Sequence, residues 1–181
     1  YTPDPIDIDY GKTYNDVKKE VNHRHSQPNY HGKSSIPKEH TITAYYANKT
    51  IDAIKRLKNK PFSITTSFHF PHAPMIPSEP YYSMYDPDKM PIPSSIKDNM
   101  QNSPYINANG RNKLTVFADV EKIKYMISNY YGLITELDDW IGKIMKTLED
   151  EDIAEHTMVI FTSDHGEMLG AHGMREKNVF H

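Results

Sequence analysis

The sequence predicts an α/β fold in which a mainly parallel or mixed sheet is flanked by helices. Residues 62–68 (FSITTSF) and 157–162 (TMVIFT) are short runs of apolar, aromatic and β-branched residues, which favour strands. Between these runs, apolar residues recur at every third or fourth position across residues 117–149, which indicates one long amphipathic helix. The order strand, long crossover helix, strand is typical of a parallel α/β unit.

The segments before the long helix differ in the regularity of their patterns. Residues 1–40 contain many Pro, Asn, Asp and Gly residues, so they are predicted to form surface loop or extended structure. Residues 41–57 have near-helical spacing of apolar side chains, with Thr41 as the N-cap. Residues 69–112 begin with a proline every few positions, which argues against a long helix or a central strand. Such a long loop is usually functional or disordered, and its aromatic and methionine side chains favour an ordered one.

The long helix and the strand after it complete the predicted unit. A helix of about 30 residues would be about 45 Å long. Its acidic end predicts that it stops before Asp152, because negative charge is unfavourable at the C-terminus of a helix dipole. Residues 157–162 are typical of a strand buried on both faces of a parallel sheet. The apolar stripe of the helix comprises Val120, Ile123, Ile127, Tyr131, Ile134, Leu137, Ile141, Ile144 and Leu148.

Composition limits the classes of function that the chain can have. Its 181 residues are enough for one domain with a core. A net charge of −3, without a basic stripe, argues against a nucleic-acid partner. No segment approaches the ~20 apolar residues of a membrane span, so none is predicted. The absence of cysteine excludes disulfides, zinc–thiolate sites and a cysteine nucleophile within these residues.

Chemically useful side chains follow both predicted strands. His69 and His72 come after the first strand, and Asp164 and His165 come after the second. Ligands of open parallel sheets bind beyond the carboxyl ends of the strands, so both clusters are predicted to lie at one sheet edge. Asp164 and His165 can converge on one divalent ion, and this pair leaves calcium, magnesium, manganese and zinc open. The structural alternative is that Asp164 caps the next turn and His165 lies on the surface.

Two further residues are suited to an anionic ligand. Lys177 follows His165 by twelve positions and offers a compact positive charge to a sulfate or phosphate oxygen. His72 lies between two prolines and can donate to an anion or shuttle a proton. The structural alternatives are a solvated lysine and a histidine satisfied by a loop carbonyl. His165 and His172 are seven positions apart, which is not the spacing of the zinc-protease motif H-E-x-x-H.

Three motifs, in order along the chain, resemble those of sulfatases. The first, within residues 61–87, is a strand that runs into a Pro-His-x-Pro loop and then Y-D-P. The second is the helix YYGLITELDDWIGKIMKTLED, and the third is SDHGE-x-x-G-x-H-G followed by Lys177. The resemblance covers roughly residues 41–181 and is to sulfatases of the alkaline-phosphatase superfamily, near the sulfatase/phosphonate monoester hydrolase branch. It implies a partial alkaline-phosphatase-like α/β domain.

The resemblance implies a sulfuric ester hydrolase that uses a divalent metal. By position, Asp164 and His165 would be two metal ligands, with calcium favoured and manganese or magnesium as alternatives. Many sulfatases have Asn in place of His165, so the identity of the metal is less defined here. Lys177 and His72 would bind the sulfate group and its bridging oxygen, Lys177 neutralising charge and His72 helping the leaving oxygen depart. The implied substrate is a sulfated small molecule or glycan.

The chain departs from the family pattern at the nucleophile. Sulfatases carry C-x-P-x-R or S-x-P-x-R, in which Cys or Ser becomes formylglycine, and neither motif occurs in these 181 residues. The chain is therefore predicted to be an internal fragment of one catalytic domain, with core segments at 41–181, that lacks the upstream nucleophile and a C-terminal part and is inactive alone. Two alternatives remain: a phosphonate monoester or phosphodiester hydrolase of the same superfamily, and a non-enzymatic metal-binding or interaction domain.

Overall fold

The computed structural model describes residues 31–98 and 120–177. The α-helices in these ranges are α1 (Ile42–Leu57), α2 (Tyr81–Met84) and α3 (Val120–Asp150). None of them has the length and apolarity needed to cross a membrane. The predictions for residues 1–30 and 99–119 lie outside the described residues. Short 3₁₀ turns occur at Lys38–His40, Pro87–Lys89, Ser94–Lys97, Ala154–His156 and Ala171–Gly173.

The predicted first helix is confirmed, including its N-cap. The Thr41 hydroxyl accepts a hydrogen bond from the Ala44 backbone N–H at 3.2 Å, which satisfies a donor that the first helical turn cannot pair. Ala44 and Ala47 are fully buried, and they pack with Trp140 of α3 in one of the core clusters. Small side chains on α1 therefore leave room for the indole ring of α3.

The long helix α3 is also confirmed, and it ends at Asp150, before Asp152 as predicted. Its 31 residues span about 46 Å. The predicted apolar stripe is only partly correct, because Leu133 and Trp140 are buried whereas Ile134 is 42% exposed. Residues seven positions apart return to the same side of a helix, so Leu133 and Trp140 share the buried face, and Ile134 lies about 100° round from Leu133.

A second core cluster joins the N-terminal half of α3 to two loops. Leu169, which follows the predicted metal ligands, packs against it. Phe70 packs against it as well, and belongs to residues 69–112, the proline-rich connection. The helix α3 therefore fixes these two loops relative to each other. The buried members of the cluster are Ala73, Met75, Met126 and Leu133, and Tyr130 packs beside them.

Residues 62–68 show a strand-like burial pattern without strand pairing. Alternate side chains from Phe62 to Phe68 are partly buried, and those between them are exposed, as in an extended chain that packs on one face. The hydroxyl oxygens of Thr66 and Thr50 are 2.7 Å apart. The packed face of this segment is therefore turned toward α1.

The predicted sheet is not confirmed by the described residues. The predicted burial of residues 157–162 on both faces is not observed, since Met158 and Phe161 are 87% and 79% exposed. A strand becomes buried only when neighbouring strands pair with it, and no such neighbour lies in residues 31–98 or 120–177. Between residues of those ranges, His31 and Met75 form one isolated parallel bridge, which is too short to make a sheet.

A carboxyl group is buried where α3 meets the turn before α2. Glu136 is fully buried, and its side chain accepts a hydrogen bond from the Ser78 backbone N–H at 3.1 Å. Burial raises the pKa of Glu136 to about 7, because the loss of solvation outweighs the hydrogen bond from the Ser78 backbone and the positive charge of Lys38. Nearby Glu39 acts in the same direction as burial. Compared with a solvated side chain, Glu136 in the folded protein therefore stays protonated to a higher pH.

We expect Glu136→Gln to stabilise the protein at about pH 8 and to leave its stability nearly unchanged at about pH 5. The pKa of this carboxyl is about 7 in the folded chain, against an ordinary value of 4.5 when it is solvated, so the free energy of unfolding falls as pH rises between these values. Glutamine stays neutral and keeps an acceptor for Ser78, so the gain at the higher pH should be roughly 2–3 kcal/mol. Urea unfolding at both pH values measures it, with the exposed Glu149→Gln as control. The same dependence of the free energy of unfolding on pH in Glu136→Gln and in the wild type would contradict this prediction.

Candidate active site

Glu167 holds together the two ends of the turn that follows the predicted metal ligands. Its carboxylate accepts hydrogen bonds from the backbone N–H of Leu169, at 3.4 Å, and from the backbone N–H of Glu176. The side chain is partly buried, and burial raises the pKa of Glu167. The sequence motif alone assigns no role to Glu167, because its partners become visible only once the turn is folded.

Backbone hydrogen bonds close the same turn, residues 167–176, which is the closed turn. The Met168 N–H donates to the Glu176 carbonyl at 3.1 Å, and the Gly170 N–H donates to the Met174 carbonyl at 2.8 Å. Gly170 has a φ of +92°, a left-handed conformation that glycine adopts without strain. The chain reverses direction here and brings Lys177 back beside the start of the turn.

The structure brings Asp164, His165 and Lys177 into one contact. The His165 Nε2 atom is 3.3 Å from the Asp164 Oδ2 atom and 3.0 Å from the Lys177 Nζ atom. The Asp164 side chain is 83% exposed and the His165 side chain 35% exposed, so both are accessible to a ligand. The other carboxylate oxygen of Asp164 accepts from the His165 backbone N–H at 3.0 Å. Asp164 therefore also stabilises the local backbone, as the structural alternative proposes.

The hydrogen bonds of His165 define the tautomer of its ring. The Nδ1 atom is 2.8 Å from the Gly166 carbonyl oxygen, and because a carbonyl only accepts, Nδ1 carries the proton. The Nε2 atom then presents a lone pair, to which the Lys177 ammonium group donates. A histidine that donates one ring N–H to a carbonyl and offers the other nitrogen has the usual form of a metal ligand.

The donor atoms at this position fit a divalent cation. Neighbouring ligands bound at about 2.1–2.4 Å lie about 3.0–3.4 Å from each other around one ion, and the Asp164 Oδ2 to His165 Nε2 distance is 3.3 Å. Within residues 31–98 and 120–177, no group of three or more potential metal-ligating side chains is present. The pair would therefore supply only part of a coordination sphere.

His72 lies in the loop after residues 62–68 and stacks on His69. The two ring centroids are 4.7 Å apart, with an interplanar angle of 27°. The His72 Nδ1–H donates to the Ala73 carbonyl at 2.7 Å, so the loop carbonyl of the structural alternative is present. Because this bond uses Nδ1, Nε2 is the ring nitrogen with which His72 could meet a ligand.

Electrostatic coupling places the His69–His72 pair near the closed turn. Burial lowers the pKa of His69, and His72 and Lys177 lower it further because like charges repel. His72 in turn opposes the effect of burial on the pKa of Glu167. Phe70 and Leu169, one from each loop, also pack against the same core cluster. The two loops therefore come together, although no sheet joins them in the described residues. The position of His69 directly after residues 62–68 is the sequence signal that identifies it.

The structure is similar to a solved phosphonate monoester hydrolase. The match to the phosphonate monoester hydrolase SpPMH from Silicibacter pomeroyi has a TM-score of 0.71 at 26% sequence identity. It covers 82% of this chain and 32% of that chain. The chain therefore has part of an alkaline-phosphatase-like sulfatase fold, which defines the class of protein.

Sequence comparisons then identify the family. The family model named Sulfatase matches residues 8–180. A multifunctional alkaline phosphatase superfamily protein, PehA, from Trinickia caryophylli is 31% identical over 170 residues, which are 84% of this chain and 33% of that protein. An arylsulfatase from Clostridium perfringens is 31% identical over 140 residues, 76% of this chain and 29% of the arylsulfatase. The chain belongs to the sulfatase family, and it spans about a third of the length of these relatives.

Proposed function

We propose that this chain is part of one sulfatase catalytic domain and supplies one side of a site that hydrolyses sulfate esters. The observation that carries the proposal is the contact of His165 with both Asp164, at 3.3 Å, and Lys177, at 3.0 Å. This contact combines two donors for a divalent cation with an ammonium group that can bind ester oxygens. Such a combination suits a tetrahedral oxyanion, whose charged oxygens are stabilised by positive charge from more than one direction.

The atoms that would hold the metal are Asp164 Oδ2 and His165 Nε2. When bound, a divalent cation supplies Lewis-acid stabilisation of charge on the ester oxygens. Calcium is favoured from the family resemblance, and manganese or magnesium would also accept a carboxylate oxygen. Lys177 donates to His165 Nε2, and its flexible four-carbon stem allows the ammonium group to turn from that nitrogen to an ester oxygen.

Lys177 and His72 would act on the ester itself. The Lys177 ammonium group would donate to the non-bridging oxygens and offset their charge in the transition state. The His72 Nδ1 proton is held by the Ala73 carbonyl at 2.7 Å, so the leaving oxygen would take its proton from Nε2 of the imidazolium form, which leaves the neutral ring protonated at Nδ1. Stacking on His69, with centroids 4.7 Å apart, restricts the orientation of the ring for this role.

The nucleophile would come from outside these 181 residues, because they contain neither C-x-P-x-R nor S-x-P-x-R. A formylglycine at such a motif is expected in the part of the enzyme upstream of this chain. Hydrolysis of a sulfated small molecule or glycan is therefore proposed for the complete enzyme. The 181-residue chain alone is expected to be inactive.

Hydrolysis of a phosphonate monoester or a phosphodiester is the second candidate. The observation in its favour is the similarity to a solved phosphonate monoester hydrolase, with a TM-score of 0.71. Sulfate and phosphonate esters both present charged oxygens on a tetrahedral central atom. Asp164, His165 and Lys177 therefore suit either substrate, and the choice between them depends on an assay.

Hydrolysis of an aryl sulfate and of an aryl phosphonate monoester by the complete enzyme would test the proposal. We expect the sulfate ester to have the larger kcat/KM. We also expect a chelator to abolish hydrolysis until calcium, manganese or magnesium is restored. A larger kcat/KM for the phosphonate ester would favour the second candidate. Full activity after exhaustive chelation, or hydrolysis of neither ester nor of an aryl phosphodiester, would contradict both candidates.

A further inference from the structure

The tip of the closed turn is bound to a separate segment of the chain. The His172 Nδ1–H donates to the Asp98 Oδ2 atom at 2.7 Å, and the His172 backbone N–H donates to the Ser95 hydroxyl at 3.2 Å. The His172 and Asp98 side chains are 28% and 43% exposed. The contact is therefore a charge-assisted hydrogen bond near the surface, not a part of either core cluster.

The backbone of the tip is shaped for this contact. His172 has a φ of +54°, which is uncommon outside glycine but is better tolerated by His, Asn and Asp. A Cβ atom at Gly173 would lie 3.3 Å from the Ile96 carbonyl oxygen. The absence of a side chain at Gly173 therefore lets the tip lie close to residues 93–98.

The same turn leads to Lys177, whose ammonium group belongs to the proposed site. The Met168 N–H is bonded to the Glu176 carbonyl at 3.1 Å, and the Glu167 carboxylate accepts from the Glu176 N–H. Lys177 follows Glu176 directly, and its Nζ atom is 3.0 Å from His165 Nε2. Movement of the tip would therefore be transmitted through the closed turn to Lys177.

The proline-rich connection before α3 approaches the turn at both of its described ends. Its first residues include His69 and His72, which couple electrostatically to Lys177 and Glu167 respectively. Its last described residue, Asp98, binds the tip of the turn. The connection therefore binds the turn directly through Asp98 and influences it electrostatically through His69 and His72.

We propose that Asp98 and His172 are positioning residues for Lys177, and that they hold the turn so that the Lys177 ammonium group meets the ester oxygens. This role rests on the proposed function, which is what requires Lys177 at the oxyanion. It does not require either residue to touch the substrate, since the His172 Nδ1–H is engaged with Asp98. Loss of a contact this close to the surface leaves the core clusters in place but frees the turn to move.

Matched substitutions separate positioning from general stability. Asp98→Ala removes the acceptor, whereas Asp98→Asn keeps an oxygen that accepts from His172. His172→Ala removes the donor, whereas His172→Asn keeps a donor and tolerates the positive φ. With each substitution made in the complete enzyme, we expect kcat/KM for the preferred ester to fall about tenfold or more, mainly through kcat, in both alanine variants. Both asparagine variants should stay within about threefold of the wild type.

The labelling rate of Lys177 provides a readout that does not depend on the substrate. Amine labelling followed by mass spectrometry should be about five- to tenfold faster at Lys177 in Asp98→Ala than in the wild type. It should be unchanged in Asp98→Asn, and unchanged at the exposed Lys60 in every variant. In a Lys177→Ala background, Asp98→Ala should cause no further loss of kcat/KM, because both changes act on the same group.

The outcomes distinguish this inference from the proposed function. Equal labelling of Lys177 in Asp98→Ala and the wild type would overturn the inference, and so would independent, multiplicative losses of activity in the double variant. If labelling changes as expected while the wild type hydrolyses neither ester, positioning holds and the proposed function fails. If the wild type hydrolyses an ester and Asp98→Ala keeps the same kcat/KM, the proposed function stands and the inference fails.

Discussion

Replacing Asp164 by alanine is expected to lower kcat/KM of the complete enzyme by at least about a thousandfold. The substitution removes the Oδ2 atom that lies 3.3 Å from His165 Nε2, and with it one of the two proposed metal-ligating atoms. It also removes the acceptor of the His165 backbone N–H, at 3.0 Å, so the start of the turn is less restrained. Initial rates on the preferred ester, with excess calcium, manganese or magnesium, measure the effect.

The control for this prediction is Asp138→Ala, which removes an exposed carboxylate from α3. It should keep the activity and the metal content of the wild type, whereas elemental analysis should show that Asp164→Ala has lost its metal. If Asp164→Ala instead keeps its metal and stays within about tenfold of wild-type kcat/KM, then its role is to stabilise the turn and the proposed metal role is wrong.

Replacing Gly132 by alanine is expected to destabilise the protein by roughly 3 kcal/mol. A Cβ atom at this position of α3 would lie 2.7 Å from the Tyr81 carbonyl oxygen and 3.0 Å from the Pro77 Cγ atom. Tyr81 is buried at the start of α2, and Pro77 is a ring with little freedom to move aside. The methyl group fits only if the segment of residues 77–81 moves away from α3.

Gly142 is the matched control because it lies in the same helix with open space around it. No atom outside its local backbone lies within 4 Å of a Cβ built there. Gly142→Ala should therefore raise the free energy of unfolding by up to about 1 kcal/mol, since alanine has the higher helix propensity. Urea unfolding measures both variants, and the expected changes have opposite signs. Similar changes in both variants would show that Gly132 is not a packing contact.

Local patterns predicted the helices better than the sheet. Thr41 caps α1, as predicted, and α3 ends at Asp150, before Asp152. Both features could be predicted because capping and periodicity depend on residues that are close in the sequence. The buried side of α3 depends on what packs against it, so the pattern places Ile134 in the stripe although Leu133 is the buried residue. Residues 157–162 have the composition of a strand, but the described residues do not provide the neighbours that pairing requires.

In the candidate site, too, contacts between residues close in the sequence could be predicted and a contact between distant residues could not. Asp164 and His165 are adjacent and Lys177 follows within one motif, so their proximity could be predicted, and the closed turn brings them into contact. The bond between Asp98 and His172 joins residues 74 positions apart. It could not be predicted, because it depends on which segment packs against the folded turn. The chemical roles of the site residues remain predictions.

Binding of Mn²⁺ most directly tests the central claim that Asp164 and His165 hold a divalent cation beside Lys177. Pulsed electron paramagnetic resonance of the Mn²⁺-loaded enzyme should detect coupling to an imidazole nitrogen. His165→Asn should retain Mn²⁺ through its side-chain oxygen but lose this coupling, whereas the exposed His156→Asn should keep it. Bound Mn²⁺ without nitrogen coupling in the wild type, or coupling that persists unchanged in His165→Asn, would contradict the claim.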